Sequence, residues 1–167
     1  MLPTQPTLRL PVTMLVAVTA FFAVLSQAVS ARAADSVSRE VANRINALRV
    51  QHGLRPLTLD GRLEQAGRAQ SSAMMSRRVL SHGNPDGRTR LTRLCARMHA
   101  RTIGETIGWI RYRSPGKQAA GIVRWWMRSP PHRAVLMSPT FTRIGVGRRT
   151  GRFGGHNAVW FSADLSG

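Results

Sequence analysis

Few side chains in this sequence are equipped for nucleophilic or acid–base chemistry, and most of those have a simpler reading. Ser129 stands three residues before His132, but Ser129-Pro130 pairs a helix-cap residue with proline at the first helical position, a structural use that needs no catalysis. Cys95 is the only cysteine, so no internal disulfide can form. A lone cysteine reads first as buried and inert. A reactive thiol or an intermolecular bridge needs a thiolate-favouring environment, and only arginines lie near it in sequence. His52, His99 and His156 have no partner visible in the sequence and read as surface or helix-end residues. Where His82, Glu105 and His132 stand depends on the elements around them.

Ser36 or Ser38 caps a first helix in which Val41, Ile45 and Leu48 recur at helical spacing, and Gly53 marks its end. After the connector Leu54 to Leu59, Asp60 caps a second helix carrying Leu63, Ala66, Ala73 and Met74 toward Val79. That helix delivers Ser81-His82 at its C-terminal end, and Gly83 to Gly87 is a turn. A short helix through Leu91, Leu94 and Met98 follows. The segment Ile103 to Gly108 is too glycine-rich for a helix interior, so Glu105 is expected on a loop or short strand. Ser114-Pro115 opens a helix with Ala119, Ile122, Val123 and Trp126 on its inner face, and Ser129-Pro130 opens a shorter one containing His132. Trp125 and Trp126 cannot face the same side of one helix, so one of them borders solvent or a cleft. Ile144 to Gly147 and Ala158 to Phe161 read as two strands around a turn at Gly151 to Gly155. Helices first and strands last imply an α+β fold with helices packed on an antiparallel sheet.

The amino-terminal segment is of another kind. Arg9 precedes an almost uncharged apolar run from Leu10 to about Val29, and Ala31-Arg32-Ala33 supplies a small-residue cleavage pattern. Residues 1–33 read as a signal peptide, or as an uncleaved N-terminal anchor, because the run is also long enough to span a bilayer. Either reading exports the remainder. The net charge is +18, and losing Arg9 and Arg32 with the signal leaves +16. Such a surplus attracts polyanions. An exported address points away from nucleic acid and toward anionic envelope polymers or membrane headgroups. Nothing in the pattern specifies an oligomeric state.

An ordered set of motifs covers nearly all of residues 36–165. It comprises Asn46 to Leu57, Ser81-His82, Gly104-Glu105, Trp126-Met127-Arg128-Ser129-Pro130-Pro131-His132-Arg133, and Pro139 to Gly147 with its Ile144-Gly145-Val146-Gly147 ending. This set resembles the bacterial branch of the CAP superfamily, the group of cysteine-rich secretory proteins, antigen 5 and pathogenesis-related 1 proteins that share the SCP domain. The resemblance implies a three-layer α-β-α sandwich. It also implies a cleft described by two histidines and two glutamates, of which His82, Glu105 and His132 match three. Ser129 falls where many members carry the other glutamate, Thr106 replaces the asparagine that usually follows Glu105, and Trp160 to Ala163 lacks a glutamine common in the last strand.

Two readings of that cleft follow. Two imidazoles and a carboxylate can form an open Zn²⁺ shell and activate water, which would make the protein a metal-dependent hydrolase of envelope peptide or glycan. Alternatively both histidines hydrogen-bond Glu105 and simply hold the cleft wall. Members of the family are associated with lipid or sterol binding and extracellular roles. The resemblance therefore implies a secreted, non-enzymatic module that binds a small amphipathic or lipid-like ligand in this cleft or in an apolar groove beside it. The exported protein is expected to begin at Ala34; intact mass measures this, and a retained Met1 would establish an anchor instead.

Overall fold

The structure, a computed structural model, describes residues 36–83 and 88–167. The expected signal segment 1–33, its cleavage site, and residues 84–87 of the expected turn lie outside the described residues. A first helix, α1, covers 36–51, and a two-residue strand β1 (Thr58–Leu59) follows. Next come α2 (Gly61–Arg77), α3 (Arg88–Met98), β2 (Ile103–Arg111), α4 (Pro115–Arg128), α5 (Pro130–Leu136), β3 (Arg143–Phe153) and β4 (His156–Ser166). No helix among the described residues is long and apolar enough to cross a membrane.

Local chemistry accounts for most of the boundaries. The Asp60 carboxylate accepts from the Arg62 and Leu63 amides at 2.8 and 3.4 Å and so caps α2, as its position in sequence implies. Arg78 closes the helix in the left-handed conformation, its amide bonding the last carbonyls. Ser114 and Ser129 occupy the cap positions of α4 and α5, yet neither hydroxyl bonds the helix; the prolines that follow them start these helices by fixing φ.

The sheet runs β1-β3-β4-β2. β4 pairs antiparallel with both β3 and β2, whereas β1 pairs parallel with β3 through Thr58 and Leu59. The sheet is therefore mixed. The connector expected before α2 forms this extra strand because Asn46 clasps the Leu57 amide and carbonyl at 2.7 and 2.9 Å, aligning the chain beside β3. The β3–β4 strands extend well beyond the expected runs and turn on Gly154 and Gly155, whose φ values of +53° and +79° are those of a type I′ hairpin.

Side chains alternate across β4. Val159, Phe161, Ala163 and Leu165 join Val41, Ile45, Ile122, Val123, Trp126 and Leu136 in the larger core, which α1, α4 and α5 cover. Trp160 on the other face packs with Met74 of α2 and Ile107. Helices thus lie on both faces, as the α-β-α expectation requires. Trp126 is fully buried and Trp125 is 43% exposed, which resolves the tryptophan pair.

Glu105 stands inside a nine-residue strand, not on a loop or a short strand. The glycines around it are packing devices: a Cβ on Gly104 would lie 2.6 Å from the Phe141 ring, and one on Gly108 would lie 2.8 Å from Ile122. The same logic explains Ile144-Gly145-Val146-Gly147. Ile144 and Val146 enter the larger core, while Gly145 and Gly147 let α2 lie directly on β3. A Cβ on Gly147 would come within 1.9 Å of the Gly67 and Arg68 backbone. Backbone cannot yield as a side chain does, so Gly147→Ala is expected to destabilise by about 3 kcal/mol or more. Gly116→Ala, facing open space, should be near neutral; urea unfolding compares them.

Candidate functional site

Pairing β2 with β4 sets Glu105 directly opposite Asp164, with Ser162 on the same face of β4. That face lies under α2 and α3, and both acidic side chains are fully buried. Two adjacent carboxylates removed from water repel each other and lose hydration, so a cation must reach them. Arg90 of α3 does. Its guanidinium donates to Asp164 Oδ1 and Oδ2 at 3.1 and 2.7 Å, to Glu105 Oε1 at 2.6 Å, and to the Ala66 carbonyl of α2 at 3.2 Å. The Ser162 hydroxyl donates to Glu105 Oε1 at 3.0 Å.

His82 completes the cluster from outside. Gln70 of α2 donates to the Ser81 carbonyl at 2.5 Å and holds the segment that follows the helix. His82 Nδ1 then meets Glu105 Oε2 at 2.8 Å, with about half of its side chain exposed. One guanidinium against two carboxylates leaves an excess negative charge, and a protonated His82 neutralises it. Accordingly the hydrogen bond to Glu105 raises the His82 pKa above its usual value, more than burial lowers it. Burial pushes the Asp164 carboxyl up to about 7, the Arg90 charge opposing it. Arg90 itself is held above the ordinary arginine value because the Asp164 charge and hydrogen bond outweigh its burial.

His132 follows different physics. Its ring lies 5.1 Å from the Trp125 ring, its Nδ1 is buried with no hydrogen-bond partner, and burial followed by the His82 charge lowers its pKa. Of the two histidines expected to hold Glu105, His82 bonds it, and His132 stands beside the pair as an apolar-faced, neutral ring. Ser129 sits at the α4–α5 junction, where its amide bonds the Trp126 carbonyl.

Of the expected metal ligand set of His82, Glu105 and His132, His82 bonds Glu105 and His132 Nδ1 bonds neither. Both Glu105 oxygens are engaged, one by Arg90 and Ser162 and the other by His82. Among the described residues no three His, Cys, Asp or Glu side chains are grouped as metal ligands. Arg90 places its positive charge against both carboxylates. The half-buried Cys95 donates to the Ala100 carbonyl at 3.1 Å, away from this site. His52 and His156 are exposed and contact Arg133 and Arg111, and His99 closes α3 with φ +49°.

Arg90, Asp164 and Ser162 were missing from the sequence reading. Asp164 carried a usable signal: it is one of seven acids in a chain with 25 basic residues, and it lies in an apolar strand two positions from Ser162. A carboxylate so placed needs a buried partner. Arg90, one arginine among many, carried none.

A β-edged cluster with His82 and His132 on a three-layer sandwich defines an SCP-type domain, and the sequence matches the model of the CAP cysteine-rich secretory protein family over residues 42–164. The chain belongs to that family. It is 32% identical over 114 residues to YkwD, an uncharacterised protein of Bacillus subtilis, covering 68% of this chain and 42% of YkwD. An extracellular protein containing an SCP domain from Bacillus anthracis superposes with a TM-score of 0.61 at 22% identity, over 80% of this chain and 41% of that one. An outer surface protein of Borrelia burgdorferi gives 0.57 at 16% identity, over 78% and 92%. The chain thus spans less than half the length of the two Bacillus relatives, and the structural likenesses speak to fold.

The pH dependence of stability follows from the raised values. His82 and Asp164 both bind protons more tightly when folded. Their contributions are complete below the unfolded values and are lost as pH rises through the folded ones. Unfolding free energy should therefore fall from about pH 4, the ordinary aspartate range, to about pH 7 as the Asp164 contribution is lost, and His82 adds to the fall above its own ordinary value. His82→Gln should flatten that slope, as read by urea unfolding across the range; an unchanged slope would separate His82 from the cluster.

Proposed function

We propose that this protein is an extracytoplasmic, non-enzymatic CAP-domain module that binds a small amphipathic, lipid-like ligand in a groove between α1 and α4. The observation that carries this reading is the groove itself. Its volume is 480 Å3, and it is lined by Ala47 and Leu48 of α1 and Val123 and Met127 of α4, together with Arg44, Arg124 and Arg128. An apolar floor with a few convergent polar groups suits a ligand with one hydrocarbon part and one anionic part. Each buried methylene contributes about 0.8 kcal/mol, so a short acyl chain supplies useful affinity.

The extracytoplasmic address is supported by the signal-like segment and by two structural relatives, one an extracellular protein and one an outer surface protein. A non-catalytic role is supported by the engagement of both Glu105 oxygens, one by Arg90 and Ser162 and the other by His82.

Displacement of dansyl-labelled undecanoate by palmitate, in protein purified without chelators and assayed for metal, tests the reading. Ala47→Trp should fill the groove and weaken the labelled lipid by about tenfold or more while leaving the melting temperature unchanged. Absence of lipid retention by the parent protein would overturn the proposal, and stoichiometric metal with chelator-sensitive hydrolysis would replace it.

A further inference from the structure

On the opposite flank of α4 from the lipid groove, between α4 and the end of β2, lies a second, larger cleft of 870 Å3. Lys117, Arg124 and Arg128 project into it from α4 at spacings that share one helix face, and Arg111 and Arg113 close it from β2 and the segment after it. Among the described residues no carboxylate lines this cleft.

Internal counterions do not reach it either. The described side-chain carboxylates are Glu40, Asp60, Glu64, Glu105 and Asp164. Glu40 pairs with Arg44, Asp60 with Arg62 and Arg143, Glu64 with Arg68, and the last two with Arg90. Every one is thus spent elsewhere. Five converging cations in one concavity repel one another, and an external polyanion relieves that repulsion.

The cleft also holds an aromatic surface. Trp125 lines it, 43% exposed, with its ring set against His132. An exposed indole among guanidinium groups offers a flat apolar face to a sugar ring while the arginine forks take carboxylates. A bilayer would instead need aromatic side chains projecting from a convex surface, and this indole lies in a concave wall.

We infer that this cleft is a binding site for an acidic polysaccharide, a chain of sugar rings bearing carboxylates, read by Trp125 and the five cations. The site is separate from the lipid groove and does not rest on it, although Arg124 and Arg128 border both.

The test titrates the exported protein with an oligogalacturonate at physiological salt, following tryptophan fluorescence and heat. A neutral cello-oligosaccharide of equal length, polyphosphate of matched charge, and anionic phosphatidylglycerol vesicles form the other arms. The acidic oligosaccharide is expected to bind at least about tenfold more tightly than any of these. The paired change Arg113→Gln with Lys117→Gln should weaken it about tenfold, whereas Arg93→Gln with Arg97→Gln, removing equal charge from exposed positions on α3, should cost less than about twofold. Trp125→Ala should abolish the fluorescence response and weaken binding while the protein stays folded. Ala47→Trp should leave it unaltered, so this inference and the lipid reading fail separately. Equal or tighter binding of polyphosphate or vesicles, equal losses from the two charge pairs, or full affinity in Trp125→Ala would each overturn the proposal.

Discussion

Arg90 is the constraint around which this molecule is arranged. Two carboxylates on neighbouring strands, both without solvent, would be untenable alone, and a single guanidinium satisfies three of their four oxygens while also holding a carbonyl of α2. The clamp therefore joins α2, α3, β2 and β4 at one point. It matters most for α3, whose apolar contribution is limited to Leu94 and Met98 against Leu63. A buried ion pair of this kind adds little net stability over a hydrocarbon replacement but fixes which elements meet, because any other arrangement leaves a bare charge in the interior.

A second buried arginine works on the opposite principle. Arg49 of α1 is 1% exposed and meets no carboxylate; its guanidinium bonds the carbonyls of Arg55, Leu136 and Ser138 at 2.8 to 3.0 Å. It gathers the end of α5 and the chain after α1 by satisfying carbonyls that would otherwise be orphaned. In a protein so rich in arginine, these two positions show that charge count and charge role are different quantities. Arg49 and Arg90 organise the interior, and the surplus that gives the molecule its strong positive charge resides on exposed faces.

Much of the architecture was legible because it rests on periodicity and local chemistry. The inner face of α4, the Asp60 cap and the paired tryptophans all follow from residue spacing, and the structure places them accordingly. What was not legible involved partners distant in sequence. Glu105 was set among glycines that suggested a loop, but Gly104 and Gly108 answer to Phe141 and Ile122, which only the folded chain brings near. The parallel β1 strand was hidden for the same reason, being two residues long and defined by bonds to Thr142 and Ile144. In the site, the family motif located His82, Glu105 and His132, while Arg90 came from a helix with no distinguishing pattern.

The sheet order has a consequence for how the chain acquires this shape. β4 is the strand on which both β2 and β3 depend, and it is the last of the described elements. Among the described residues the only other pairing, β1 with β3, spans two residues. A polypeptide emerging from its amino terminus thus has helices to form early but no sheet to lay them on until residues 156–166 arrive. Long-range closure of this sort is slow compared with helix formation. Until then the apolar faces of α1, α2 and α4 stay uncovered and Glu105 stays hydrated. Commitment to the native sandwich is thus deferred to the last described strand, whatever the order in which the helices form.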